Sequence, residues 1–284
     1  MSLSHNLPKD REEALGHQLI MAALTVETRN VEALTVAKTM AIAQESGLFG
    51  KRTESRHYAK KILEAYPQFT GAYFAYEPNA DQDDQAYLRQ VGTDHGGLDA
   101  NGRFLPYWFR EIKDPSTITL KPLMDMETSL YYQGVKDKFL SGAQEKSLVT
   151  EPYVYEGKMI IEHVYPVVIE GTFVGIAGVD RALTDLHALL QGLKPYQTAD
   201  LMLLSRLGNV IAATMDPGLH TKPLNETPYK DLLNAFYQHT TGRPNVEVLT
   251  DPVDGKTYVY GGVPITTGAW TLVMRVSEEE ILSM

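Results

Sequence analysis

The feature that most limits the fold of this chain is an internal repeat in its second half. Glu156-Gly157-Lys158 is followed nine residues after its glycine by Pro166, then by Gly171 and Phe173, while Asp254-Gly255-Lys256 is followed nine residues after its glycine by Pro264, then by Gly268 and Trp270. Each copy reads turn, strand, turn, strand, with an acidic-Gly-Lys hairpin at the start and a glycine suited to positive φ at the second turn. Turn chemistry draws on few residue types, so unrelated hairpins could share these residues; the equal spacing and the shared aromatic favour two related sheet modules in tandem, joined near Gly192 to Thr198.

Further strands are predicted at Phe69 to Tyr76, Leu201 to Leu204 and Val210 to Ala213, beside the repeat strands Lys158 to Val168, Thr172 to Val179, Thr257 to Val263 and Trp270 to Val276. Helices are predicted at Ala182 to Gln191 and Tyr229 to Thr240, and Asn79 to Gln85 reads as a polar loop. Hairpin spacing with few crossover helices gives antiparallel sheets in an α+β fold. Before the sheets, Lys9 to about Glu45 contains no proline, and Leu15, Leu19, Ala22, Ala23, Val26, Leu34, Ala37 and Ala41 recur at helical steps. This is one helix of roughly 50 Å, a stalk or dimer seam, or simply a helix packed on its own core. A second helix runs from Thr53, as N-cap, to Ala65 before Pro67. The expected division is a helix over 1–52, a first sheet module over 53–191 and a second over 192–284.

A net charge of −10 opposes binding to nucleic acid or anionic lipid. The absence of cysteine excludes disulfides, thiolate metal sites and a cysteine nucleophile, and leaves the compartment open. No stretch approaches the roughly 18 consecutive apolar residues of a spanning helix. Met1-Ser2-Leu3 reads as a vector-derived start and the chain stops at Met284 as a helix begins, so membrane anchors are expected outside this piece.

His5, His17, His57, His95, His163, His187, His220 and His239 form no ligand spacing, and neither a nucleophile elbow nor a phosphate loop is present. No cofactor and no metal are expected. Carboxylates near aromatics (Asp125, Glu127, Glu151, Glu162, Asp180) could pair for acid/base work, which keeps open a soluble enzyme acting on a small polar substrate. More telling is the density of aromatics from Tyr73 to Tyr165, with Tyr107, Trp108, Phe109, Tyr131, Tyr132, Tyr153 and Tyr155 alternating with Arg103, Arg110, Glu151, Glu162 and Asp180. Rings as walls and charges as anchors suit a small polar ligand, although core packing accounts for part of the set.

The runs Asn101-Gly102-Arg103-Phe104-Leu105-Pro106-Tyr107-Trp108-Phe109-Arg110, Leu120-Lys121-Pro122-Leu123, Tyr131-Tyr132, Glu151-Pro152-Tyr153-Val154-Tyr155 and Gly171 to Asp180 together resemble the double Cache sensor domains of bacterial chemoreceptors and related transmembrane receptors. The resemblance covers most of the chain. It implies a long N-terminal helix, a membrane-distal PAS-like module that holds the ligand, a smaller proximal module, membrane helices beyond both ends, and a homodimer through the N-terminal helix. It also implies a periplasmic or extracellular location on a bacterial inner-membrane protein, with a small-molecule ligand and no enzymatic activity. Amino-acid-binding members use an Arg-x-Trp-Tyr motif and later aspartates; here Leu105 stands where that arginine would fall and Tyr155 where an aspartate would, while Asp180 matches the aspartate of the terminal Gly-Val-Asp. The expected ligand is accordingly an amine or zwitterion, with a small carboxylate held by Arg103 or Arg110 as the second choice. The candidate site is Asp180 as anchor with Tyr73, Arg103, Tyr107, Trp108, Arg110, Tyr131, Tyr132, Tyr153, Tyr155, Glu162 and His163. Asp180 also precedes the helix at Ala182 closely enough to be read as its cap.

Overall fold

The computed structural model describes residues 7–239 and 244–284. The proline-free N-terminal run is a single helix, α1 (Lys9–Ala43), which ends in a wide turn, Gln44–Leu48, where Gly47 takes φ 112°. Helix α2 (Arg52–Ala65) follows, one residue earlier than predicted. Lys51 stands at its N-cap, so Thr53 lies inside the helix, where its hydroxyl sits 3.4 Å from that of Tyr87.

The chain then makes β1 (Gly71–Tyr76), α3 (Asp84–Val91), β2 (Pro106–Arg110), β3 (Ile118–Pro122), a wide turn at Leu130–Gly134, α4 (Val135–Leu140), β4 (Leu148–Val149), β5 (Tyr153–Tyr155), β6 (Lys158–Ile169) and β7 (Thr172–Ala182). Helix α5 (Leu183–Gly192) leads to β8 (Asp200–Leu204), β9 (Val210–Ala213), α6 (Lys230–His239), β10 (Asn245–Thr250), β11 (Thr257–Ile265), β12 (Trp270–Ser277) and α7 (Glu278–Ser283). The last two residues of the loop expected at Asn79 to Gln85 are already helical, because Asn79 and Asp84 exchange hydrogen bonds across the turn that starts α3. Thr240, the predicted end of α6, lies outside the described residues.

The α+β architecture with two antiparallel sheets is as expected. One sheet has the order β3-β2-β1-β7-β6-β4, with β5 also paired to β6; the other has the order β10-β11-β12-β8-β9. The repeated motif is the hairpin β6–β7 in one sheet and β11–β12 in the other. Its turns use the predicted positions: Glu156-Gly157 (φ 48° and 79°), Glu170-Gly171 (49° and 80°) and Gly268-Ala269 (85° and 53°) all lie in the left-handed region. In each sheet the first strand pairs with the last, β1 with β7 and β8 with β12.

The compact units are not the consecutive pieces expected from the sequence. One comprises Val31–Thr150 and Ile160–Ala182 and contains most of the seven-stranded sheet; the other comprises residues up to Asn30, Glu151–Met159 and Leu183–Met284 and contains the five-stranded sheet. Helix α1 is shared, since its apolar stripe is long enough to serve both cores. Leu15 and Leu19 lie over Gly261 in the five-stranded unit, and Ala33, Val36, Met40 and Ala41 pack with Ala72, Phe74, Tyr76, Ala177 and Val179 in the seven-stranded one. Helix α5 packs on β8 and β9, which moves the boundary from Gly192 back to Leu183.

Candidate functional site on the seven-stranded sheet

Side chains alternate across a strand, so the residues of β1 divide between two faces. Ala72, Phe74 and Tyr76 join the core that includes Ala59 and Leu63 of α2, which leaves Gly71, Tyr73 and Ala75 on the opposite face. Register carries that face across the sheet: Tyr73 lies opposite Tyr107 on β2 and Gly178 on β7, Gly71 lies opposite Phe109 and Asp180, and Asp180 lies opposite Glu162 on β6. Residues far apart in sequence thereby form one patch.

In that patch the Tyr107 hydroxyl donates to Asp180 Oδ2 over 2.6 Å and the Tyr73 hydroxyl donates to Glu162 Oε1 over 3.1 Å. The Tyr73 ring meets Tyr107 and Tyr131 edge-on, with centroids 5.9 and 6.0 Å apart, and Tyr107 stacks on Phe109 at 5.4 Å. Tyr131 is presented by the wide turn before α4, and its hydroxyl donates to the Met124 carbonyl. Thr150 brackets Glu162, its hydroxyl accepting from the Glu162 N–H at 2.9 Å. Tyr73, Tyr107, Tyr131, Glu162 and Asp180 are all buried.

Two glycines make this geometry possible. A Cβ on Gly71 would lie 2.3 Å from Asp180 Oδ2 and 2.5 Å from Tyr107 Cε2, and one on Gly178 would lie 2.3 Å from the end of the Tyr73 ring. Neither rearrangement is cheap, because the obstructed atoms belong to buried side chains.

Asp180 on β7 and Glu162 on β6 thus bring two carboxyl groups together on adjacent strands, each accepting from a tyrosine hydroxyl. A cation brought between them is stabilised by both charges, and the ring faces add to that attraction. Lys121, opposite Tyr107 on β3, holds its ammonium 4.3 Å over the Phe109 ring, and burial pushes its pKa down.

The other expected site residues lie elsewhere. Trp108 is on the α2 face: its indole N–H donates to the Arg56 carbonyl at 2.8 Å and Lys60 sits 5.2 Å over its ring, along an open groove of about 780 Å³ that His57 and Leu120 also line. Tyr107 and Trp108 are neighbours in sequence, and strand alternation separates them. Arg110 donates to the carbonyls of Leu63, Phe69 and Pro115 at 2.5, 3.0 and 3.3 Å and so ties down the end of α2. Arg103 donates to the Tyr76 carbonyl at 2.6 Å and to Glu127 at 2.9 Å, with its guanidinium 4.9 Å over Tyr132. Tyr132 in turn donates to Glu77, which Lys136 also holds. His163 lies opposite Val179 on the face turned away from Glu162, fully buried, with neither ring nitrogen hydrogen-bonded. Tyr153 and Tyr155 stand on β5 in the five-stranded unit, with ring centroids 6.2 Å apart. Asp180 is a strand residue three positions before α5, not its cap.

Beside Tyr73, Tyr107, Tyr131, Glu162 and Asp180, the same patch contains Phe109, Lys121, Gly71, Gly178 and Thr150. Phe109 was within reach of the sequence, two residues beyond Tyr107 on the same strand face; the two glycines and Lys121 need the register.

No protein-family model and no curated protein sequence matches the chain. Solved structures do. The extracellular domain of mmHK1S-Z3, assigned as a histidine kinase, is 28% identical and superposes with a TM-score of 0.83 over 97% of each chain. Methyl-accepting chemotaxis protein X is 22% identical, with a TM-score of 0.73 over 93% of this chain and 96% of the other. The ligand-binding domain of the Pseudomonas fluorescens chemoreceptor CtaA, in complex with L-isoleucine, is 20% identical, with a TM-score of 0.62 over 97% and 96%. With its long N-terminal helix and two antiparallel sheets, the chain has the two-module α+β fold of the extracellular sensor domains of histidine kinases and chemoreceptors.

Proposed function

We propose that this chain is the periplasmic sensing portion of a bacterial inner-membrane signalling receptor and that it binds a small amine or zwitterion in the seven-stranded unit. Asp180 and Glu162 hold the ammonium, and Tyr73, Tyr107 and Tyr131 form the walls. The observation that carries this reading is the buried carboxylate pair, each member fixed by its own tyrosine hydroxyl. A zwitterionic ligand accords with the L-isoleucine bound by CtaA. A ligand held only through its carboxylate is the second choice: Arg103 donates through Nε to the Tyr76 carbonyl and through Nη1 to Glu127, and Arg110 donates to the carbonyls of Phe69 and Leu63, so most of their donors are engaged within the fold. Nothing in these neighbours supports the alternative of an acid/base enzyme.

The receptor is a homodimer through α1. Met21, Leu24, Thr28, Val31, Thr35, Lys38 and Ile42 alternate at three- and four-residue steps, the heptad spacing of a helix pair, and every one is exposed, Leu24 to 55% and Met21 to 54%.

A thermal-shift screen with amines, amino acids and short carboxylates, followed by calorimetry, tests the ligand class. A ligand that binds only the folded chain raises its melting temperature by mass action. Stabilisation by carboxylates lacking an amine, with none by amines or amino acids, would overturn the assignment.

A further inference from the structure

We infer that the five-stranded unit carries a cation site of the same design, already filled by its own Arg275. The two sheets share a strand plan, β6-β7-β1-β2 in one and β11-β12-β8-β9 in the other. On corresponding strands, the row Glu162–Asp180–Gly71 in the first unit becomes Tyr260–Arg275–Asp200 in the second, each set directly opposite in register. The closing strand thus bears an aspartate in one unit and an arginine in the other.

The surroundings of Arg275 supply what a bound guanidinium needs. Its Nε and Nη2 donate to Asp200 Oδ2 at 3.2 and 3.0 Å, while Nη1 donates to Asp251 Oδ2 and, at 3.3 Å, to the Tyr229 hydroxyl. The Tyr260 hydroxyl donates to the same Asp251 oxygen at 2.6 Å, and the Tyr258 ring lies 4.6 Å from the guanidinium carbon. Two carboxylates, a phenol that orients one of them and an aromatic face are the elements that Asp180, Glu162, Tyr107 and Tyr73 assemble on β1, β2, β6 and β7. Thr214 and Lys194 fix the second oxygen of Asp200 at 3.0 and 3.3 Å, and the Val253 and Asp254 N–H groups fix that of Asp251 at 2.8 and 3.1 Å, so both anions are oriented independently of the arginine. Guanidinium is planar and hydrogen-bonds in a fork, which an alkylammonium cannot reproduce.

The site should therefore accept a free alkylguanidinium when residue 275 no longer fills it. The inference stands on the Arg275 contacts and does not depend on the ligand assigned to the other unit.

The test uses Arg275→Ala, with methylguanidinium as the probe and sodium chloride at equal ionic strength as the control. The variant is expected to melt below the parent and to recover saturably at millimolar methylguanidinium, more than with methylammonium; the parent and Arg275→Ala/Asp251→Asn gain nothing comparable. Recovery that is absent, or equal in the double variant, overturns the inference. If Arg275→Ala does not accumulate folded, the parent answers instead. Its Arg275 Nε–H resonance should stay sharp, slowly exchanging and unmoved by methylguanidinium, and fast exchange or displacement of that signal would equally sink the proposal.

Discussion

Tyr107 reaches Asp180 across an intervening strand. The two residues stand on β2 and β7, with β1 between them, and their 2.6 Å hydrogen bond passes over Gly71, whose missing side chain leaves the space. Any Cβ at position 71 would strike both partners. Gly71→Ala should therefore separate Tyr107 from Asp180, cost about 1–3 kcal/mol of stability through overpacking and weaken binding of a confirmed amine ligand at least tenfold, about 1.4 kcal/mol. Denaturation and calorimetry on the same preparation check both parts; full affinity would mean that the hydrogen bond does not shape the site.

Removing charge separates anchors from scaffold. Asp180→Asn and Glu162→Gln keep size and one acceptor oxygen but remove the carboxylate, and each is expected to lose about 2–5 kcal/mol of amine binding. Because Asp180 lies within β7, no helix cap is lost with it. Binding of Asp180→Asn within about threefold of the parent, below roughly 0.7 kcal/mol, would contradict the anchor role.

The neighbouring aromatics make a control. Tyr107→Phe removes one hydrogen bond to a charged group and should cost about 1.5–3 kcal/mol of the order that holds Asp180. Trp108→Phe acts on the α2 face, so ligand affinity should stay within about threefold, a change below roughly 0.7 kcal/mol. Equal losses in titration calorimetry would place both rings in the same site, against the observed alternation.

Local pattern and long-range register contributed differently to what could be read beforehand. The hairpins at Gly157, Gly171 and Gly268 were legible because left-handed backbone has few solutions in side-chain chemistry. Tyr107, Tyr131, Tyr73, Glu162 and Asp180 were legible as types of residue, yet not as a patch, since their meeting depends on which strands neighbour β1. Trp108 groups with Tyr107 in a linear reading because adjacency in sequence resembles adjacency in space until the two-residue period of a strand is applied. Arg103 and Arg110 look like ligand anchors in any linear reading; only the folded chain shows that the carbonyls of Tyr76, Leu63 and Phe69 take several of their donors. Helix α3 is short and begins inside a polar run, where turn and helix-start residues are the same.

The exposed seam of α1 leads to a prediction about association. Leu24→Glu with Val31→Glu puts like charges on the heptad stripe without entering either core, so each chain should fold as before while the dimer dissociates. Sedimentation velocity of parent and variant measures this directly. A parent that remains monomeric at the highest attainable concentration would remove the seam from the dimer and return it to plain solvent exposure.

Acid should act first through His163. Burial, with a smaller contribution from Arg181, pushes its pKa from 6.5 down to about 3, so the folded chain holds a neutral imidazole while the unfolded chain binds a proton below pH 6.5. A depressed value of this kind gives stability that is complete above pH 6.5 and falls as the pH drops toward 3, by about 1.4 kcal/mol per pH unit. Near pH 5 the loss amounts to roughly 2 kcal/mol. His220, also lowered by burial and then by His187, adds a smaller decline with the same sign. In His163→Phe the ring volume is kept and the two nitrogens that lack hydrogen-bond partners are gone, so stability at pH 7.5 should hold or rise. Urea denaturation at pH 7.5 and pH 5 should then show most of the difference between the two conditions abolished in the variant. An undiminished difference would place the acid-sensitive protonation at other groups.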